Sequence, residues 1–433
     1  MRLVRTALRT GARPERVLSL LDARAGRRGL PGPAALTGTW FGSQAVIAPT
    51  VQPRPVTDAD EAFAVPARQP DVDAAADGAV GGGWFGYLGY DLTDPSGRSG
   101  TLPAAAWGWA DHVLRLDADG QWWLEALVPG PDTDALAAEF DALLAGADDD
   151  PAGRGWTATA LRRPDGSAHT KAVAACMDAI AAGELFQANI CARFHGAFDG
   201  SACELFTAGV WRLRPRRAAY LAGSWGAVVS LSPELFLARS GRRVRSTPIK
   251  GTLPRRSAAD DANAELLRRS AKDVAENVMI TDLVRNDLGR VSAVGSVTVP
   301  ELLNVTEAPG VWHLESTVAA ELAPGVTDAG LLRAAFPPGS VTGAPKLRAL
   351  DLIAELEPEA RGVYCGAVGL ASPVAGMELN VAIRTLEVSG GRVALGVGGG
   401  ITALSDPEAE WQECLHKAAP LEALLRHFAE LPE

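Results

Sequence analysis

Lysine is nearly absent from this chain. Of 41 basic residues only Lys171, Lys250, Lys272, Lys346 and Lys417 are lysines, and the rest are arginines. Generic charge is therefore carried by arginine, and each lysine raises the question of what arginine could not do there. An amine can lose its proton and attack carbon, whereas a guanidinium effectively cannot. Other shortages exclude whole classes. No apolar run reaches the roughly 18 residues that a membrane-spanning helix needs. The five cysteines (Cys176, Cys191, Cys203, Cys365, Cys414) are odd in number, scattered and never paired as Cys-x-x-Cys. That argues against a disulfide framework or a zinc site and for a reducing cytoplasm. Long basic runs are missing and the net charge is −11, so neither nucleic acid nor a membrane is an expected partner. An acidic protein that binds an anion must gather positive charge locally, which adds interest to the few lysines.

At 433 residues the chain could hold two or three domains or one large layered body. No internal repeat is visible. Residues 1–150 read as a strand-rich N-terminal half and 151–433 as a second, catalytic region. Gly146-Ala147-Asp148-Asp149-Asp150-Pro151 is the best linker candidate between them, after a helix-like segment from Asp132 to Leu144. The arginine-rich start, Met1 to Arg16, faintly resembles a transit peptide. It lacks a secretory apolar stretch, and Val17-Leu18-Ser19-Leu20-Leu21 reads as folded chain, so cytoplasm is expected.

Helical periodicity marks Ala168 to Ala182, stopped by Gly183, and Ala264 to Leu288, stopped by Gly289. A third helix is predicted to open at Asp406-Pro407, with the aspartate as N-cap and proline in the first turn. Strand patterns cover Ala227 to Ser230, Val363 to Leu370, Leu379 to Val388 and Val393 to Val397. Strands mixed irregularly with helices indicate an α+β fold.

Several constellations could carry chemistry. Lys250 sits in Thr247-Pro248-Ile249-Lys250-Gly251-Thr252, where glycine would let the backbone approach a ligand; an exposed lysine on a turn is the plain alternative. Glu410 and Glu413 lie three apart on the helix begun at Asp406, with Lys417 four further on the same face. Two acids at that spacing can hold Mg²⁺, an ion that takes carboxylates, waters and substrate oxygens; a solvated acidic face is the alternative. Asp273 and Glu276 repeat the spacing on another helix, where Arg269–Asp273 and Lys272–Glu276 would be ordinary i,i+4 pairs. The run Gly396-Val397-Gly398-Gly399-Gly400 ends a predicted strand, and its N–H groups could face a carboxylate unless it is a plain hairpin turn. Gly339-Ser340-Val341-Thr342-Gly343-Ala344-Pro345-Lys346 enters a helix with Leu347, Leu350 and Ile353 on its expected buried side. It lacks the Gly-Lys-Ser/Thr of a phosphate loop, so nucleotide binding is disfavoured. Tyr364 and Arg384, each in a strand-like run, could together clamp a carboxylate. His313, flanked by apolar residues, reads as a core histidine or as an acid–base group.

Taken together, these segments resemble the chorismate-utilising enzymes. The match runs from about Phe186 to Lys417. It includes Thr281-Asp282-Leu283-Val284-Arg285-Asn286-Asp287-Leu288, Gly343-Ala344-Pro345-Lys346, Ile383-Arg384-Thr385-Leu386 and Glu410-Trp411-Gln412-Glu413. The N-terminal third looks like that family's more variable half, with Tyr90-Asp91 as its clearest echo.

The resemblance implies an α+β fold of two antiparallel sheets packed as a sandwich with helices outside, chorismate as substrate and Mg²⁺ as cofactor. It makes Glu276 and Glu413 the principal metal ligands, with Asp273 and Glu410 in the accompanying acidic positions. Tyr364, Arg384, Gly398 and Lys417 match positions that hold the substrate carboxylates, while Gln187, Gly251, Thr252 and Thr342 complete the substrate site. Two positions sort the branches. Water-adding members carry a lysine base where this chain has Gln187, in Phe186-Gln187-Ala188-Asn189, which points to ammonia as the incoming group. Anthranilate and isochorismate synthases usually carry alanine where Lys250 stands, so Lys250 resembles the branch that aminates C4, the aminodeoxychorismate synthases of p-aminobenzoate and folate synthesis. The implied roles are Glu234 as proton donor to the departing hydroxyl, Lys250 as covalent nucleophile and His313 as a hydrogen-bonding group. No Gly-x-Cys-x-Gly glutaminase elbow is present, which implies a separate glutamine amidotransferase subunit as ammonia source. Anthranilate synthase component I and a non-catalytic chorismate-binding subunit are the alternatives.

Overall fold

The computed structural model describes residues 1–73, 78–129, 133–145 and 155–426. The proposed linker, residues 146–151, lies outside them. Alternation along the strands decides the architecture, because successive side chains leave a strand on opposite faces. In Arg217–Gly223, Ala218 and Tyr220 enter one apolar cluster, while Ala219 and Leu221 enter another. In Ala367–Ser372, Val368 and Leu370 share that second cluster, and Ala367 and Ala371 face a third. The shared cluster is the filling between two sheets; the other two bury their outer faces beneath helices.

Among the described residues one sheet has 12 strands and the other 10, and all the ladders between them are antiparallel. The expected α+β sandwich with outer helices is therefore the fold. Each sheet runs through the sequence boundary near residue 150. Ala34–Trp40 pairs with Arg217–Gly223 in the first, and Gly83–Leu88 with Ala367–Ser372 in the second. Within the arginine-rich start, Arg2–Ala7 is a strand paired with Trp122–Val128.

The helix expected from Ala264 to Leu288 is two. Asn263–Arg269 ends at Ser270, whose extended backbone breaks the helix and whose hydroxyl accepts from the Asp273 N–H to start Ala271–Gly289. A serine prefers this capping role to a helix interior. The predicted strand from Leu379 to Val388 is also two strands, Gly376–Val381 in one sheet and Thr385–Ser389 in the other. The chain changes sheets at residues 382–384, with Arg384 at φ 49°. The glycine run at 396–400 lies inside the strand Arg392–Ile401, not in a turn after it. Past Leu395, among the described residues, this strand pairs only with Gln187–Gly200, and its other edge carries no strand partner. Helix Lys346–Leu356 buries Leu350 and Ile353 but leaves Leu347 exposed, contrary to expectation.

Candidate active site

Three elements meet where the sheets come together. Lys250 comes from the strand Ile249–Pro254, Gln187 opens the strand Gln187–Gly200 of the other sheet, and Glu276 projects from Ala271–Gly289. The Lys250 ammonium donates to Glu276 Oε1 at 2.6 Å, and the Gln187 amide donates to the same oxygen at 3.0 Å. All three side chains are buried. Glycine is required opposite them: a Cβ at Gly400 would lie 2.0 Å from Glu276 Oε1 and 2.7 Å from Gln187 Nε2.

The helix Pro407–Arg426 brings the second acidic pair to the same strand tip. A Cβ at Gly399 would meet Glu410 Oε2 at 3.0 Å and Glu413 Oε1 at 3.9 Å. Glu410 accepts from Lys272 and from the Ser405 hydroxyl, each at 2.6 Å. Glu413 pairs with Lys417 at 2.7 Å, and Lys417 also donates to the Gly398 carbonyl at 2.8 Å. Lys417 holds Glu413 below the usual carboxylate range. Asp273 is pushed up by burial and by the charges of Glu276 and Glu413, against the pull of Ser270 and Lys272. It also sits against Gly251, whose φ of 93° and 3.0 Å clearance leave no room for a side chain.

The expected local ion pairs of the Asp273 helix did not form. Arg269 turns back to Glu265, and Lys272 crosses to Glu410. Lys272 was thus missed as a member of this cluster, although the scarcity of lysine could have flagged it.

Glu234, His313 and Arg384 form the adjoining part. Burial raises Glu234 to about 7, against the pull of the Ser340 hydroxyl, Lys250 and the Ile249 N–H. Burial, with Arg384 and Arg216 nearby, lowers His313 to about 3, so its ring is neutral at ordinary pH. His313 Nδ1 meets the Thr252 hydroxyl at 2.9 Å, while Nε2 is sealed without a partner. Burial lowers the pKa of the Arg384 guanidinium, opposed by the charge of Glu234.

Two expected substrate residues have other immediate neighbours. Tyr364 lies in a turn, not a strand; its ring fills the space over Gly396 and its hydroxyl is 3.7 Å from Cys191 Sγ. No hydrogen bond links it to Arg384. Thr342 turns its hydroxyl back to the Pro338 and Gly339 carbonyls. Lys346 is no anion site: it is bound to Asp287 and to the Ala335 and Pro337 carbonyls, bolting the loop before its helix to the end of Ala271–Gly289.

Among the described residues no three acidic, histidine or cysteine groups stand at metal-ligand spacing. The donor set nonetheless fits Mg²⁺, since all four groups are carboxylates and Asp273 carries the mutual repulsion that a cation relieves. Lysines occupy three of the four, so a metal would have to displace them.

Cations and carboxylates thus gather at the seam of the two-sheet α+β sandwich. The model of a family described as chorismate binding enzyme matches residues 20–423. The chain belongs to that family. It is 38% identical over 363 residues to aminodeoxychorismate synthase component 1 of Salmonella typhimurium, covering 81% of this chain and 77% of that protein. It is 45% identical over 237 residues to the Escherichia coli protein of the same name, covering 54% of this chain. That match spans about half, 52%, of the Escherichia coli protein's length. Anthranilate synthase component 1 of Streptomyces coelicolor is 37% identical over 377 residues, covering 80% of this chain and 73% of that protein. Among solved structures, anthranilate synthase component I from Streptococcus pneumoniae superposes with a TM-score of 0.72 at 26% identity, covering 90% of each chain.

Proposed function

We propose that this protein replaces the C4 hydroxyl of chorismate with ammonia, forming 4-amino-4-deoxychorismate for p-aminobenzoate and folate synthesis. The observation that carries the reading is Lys250, buried at the seam of the sheets and bonded to the Glu276 oxygen that Gln187 also meets. Arginine could hold an anion there but could not serve as a nucleophile. The names of the Salmonella and Escherichia coli relatives support the same branch.

In this mechanism Arg384, Lys417 and the open edge of the glycine strand hold the substrate carboxylates, with Tyr364, Thr342, Gly251 and Thr252 shaping the pocket. Glu234, whose hold on its proton burial strengthens, gives that proton to the departing C4 hydroxyl, which leaves as water. Lys250, having released its proton to solvent as its contact with Glu276 opens, attacks C2 as a neutral amine while the ring double bond shifts. Ammonia then attacks C4, the double bond shifts back, and Lys250 departs as an amine. Two displacements replace one difficult step. His313, neutral and anchored by Thr252, offers Nε2 as a hydrogen-bonding group.

Glu276 and Glu413, accompanied by Asp273 and Glu410, would hold Mg²⁺. The ion would supply positive charge to the substrate carboxylates. Ammonia would come from a separate glutamine amidotransferase subunit, as the "component 1" in the relatives' names suggests.

Incubating the protein with chorismate, Mg²⁺ and ammonium tests the reading. Product that yields p-aminobenzoate only after a lyase is added supports it. Fluorescent anthranilate formed without a lyase would transfer the protein to the branch of its Streptomyces coelicolor relative.

A further inference from the structure

We infer that a one-water cavity behind Glu234, walled by Ser340 and Ser246, is the site through which this carboxylate regains its proton. The inference rests on the reading of Glu234 as proton donor.

The cavity measures about 10 Å³ and has Glu234, Ser246, Asp287 and Ser340 among its lining residues. That is room for about one water, which needs polar partners to stay. Lys250, Arg384 and His313 do not line it; Glu234 alone belongs both to this wall and to the reacting cluster. Glu234 is 3% exposed, and its Oε1 is sealed from solvent without a hydrogen-bond partner. Such an orphan is rare in a folded protein and commonly marks a water or a functional group. Ser340 and Ser246 are buried as well. The far wall is rigid, because Lys346 uses its ammonium on Asp287 and two carbonyls.

The reaction requires that Glu234 regain a proton in every turnover. After Glu234 protonates the departing oxygen it is a carboxylate. The new allylic amine keeps its own added proton at neutral pH and leaves as an ammonium ion, so it does not reset Glu234. A hydronium ion in the cavity transfers one proton to the carboxylate, leaving a neutral carboxyl and water. The charged and titratable groups around Glu234 are Lys250, Arg384 and Glu315, with the Asp287–Lys346 pair across the cavity. None of these resets it in place of solvent: Arg384 stays charged, Lys346 is held by Asp287, and Lys250 leaves the adduct as a neutral amine with no proton to give.

Ser340→Val and Ser246→Val each fill the cavity from a different wall; Ser340→Val also removes the hydroxyl that bonds Glu234, so Ser246→Val is the test free of that change. In the ammonium-dependent assay either should lower kcat by about tenfold or more, leave KM for chorismate little changed, and enlarge the solvent deuterium isotope effect over that of the wild type. A high-resolution crystal structure of the wild type should show an ordered water within about 3 Å of Glu234 Oε1, absent from the valine variants. Wild-type kcat and isotope effect in a folded valine variant would overturn the relay, as would a wild-type cavity without ordered water. Glu234→Gln separates the two readings. If it stays active, the donor role itself fails; if it is inactive while the valine variants are unaffected, only the relay fails.

Discussion

Lys250 Nζ lies 2.6 Å from Glu276 Oε1, although the two residues sit on different elements 26 positions apart. One contact thereby joins the candidate nucleophile to the candidate metal ligand. Both side chains are less than 10% exposed, so neither charge can be removed without leaving the other in a poor environment.

Lys250→Met should therefore abolish amination and also destabilise the metal-free protein, by about 3–5 kcal/mol if Glu276 stays ionised. Mg²⁺ at Glu276 would replace the missing charge. Thermal denaturation with and without Mg²⁺ should show a larger metal-induced rise in Tm for the variant than for the wild type. Equal shifts would count against Glu276 as a ligand.

Gly400→Ala should impair the site more than the fold. The added carbon would fall 2.0 Å from Glu276 Oε1, and both neighbours it meets are side-chain ends that can swing away. A displacement of that order costs about 10²-fold in rate when it moves reacting groups. The check is kcat together with a urea titration: the rate should collapse while the midpoint changes little.

Glu234 makes activity and stability depend on pH in one direction. Its folded value of about 7 exceeds the ordinary 4.5 of a glutamate, so the native state binds the extra proton between those values. Stability is then lost as pH rises through that window, by at most roughly 1.4 kcal/mol per pH unit. Activity should fall above about pH 7 as the donor ionises. Glu234→Gln should be inactive, yet gain Tm relative to the wild type at pH 8 and show little gain at pH 4.5.

His313 acts in the opposite sense. Its folded value is lowered to about 3 from 6.5, so the unfolded chain takes up a proton first as pH falls. Native stability should decline from about pH 6.5 downward, again by at most roughly 1.4 kcal/mol per unit. In His313→Gln this part of the acid loss should vanish, which urea midpoints at pH 7 and pH 4.5 would reveal.

Lys346→Met should prove a stability variant. It strands Asp287 and two carbonyls in a buried setting, at a cost of about 3–5 kcal/mol. Because the loop it anchors carries Ser340 toward Glu234, the surviving folded fraction should also show a lowered kcat. An unchanged urea midpoint would show that Asp287 finds another partner.

Much of this arrangement was legible along the chain. Strands mixed irregularly with helices indicated an α+β fold, the family resemblance supplied the two-sheet sandwich, and the acidic pairs on two helices are where spacing placed them. Local pattern failed where the chain changes partner without changing character. The 379–388 run stays apolar while it crosses from one sheet to the other, so it reads as a single strand, and the αL turn at Arg384 leaves no mark in composition. The glycines at 396–400 suggested a turn, yet they are strand residues made small by what faces them: the Tyr364 ring, Cys191, Glu410 and Glu276.

The sequence by itself determined the chemistry available: few lysines, four helix-borne carboxylates, a glycine strand and the family to which they belong. Only the tertiary structure decided who meets whom. Four of the five lysines end on carboxylates, but only Lys417 on the one its helical spacing offered. The reason is physical. Helical spacing fixes which side chains share a face, and an i,i+4 pair is worth only about 0.3–0.5 kcal/mol. Packing two sheets and two helices together brings buried carboxylates within reach, and a charge deprived of water takes the partner that packing supplies.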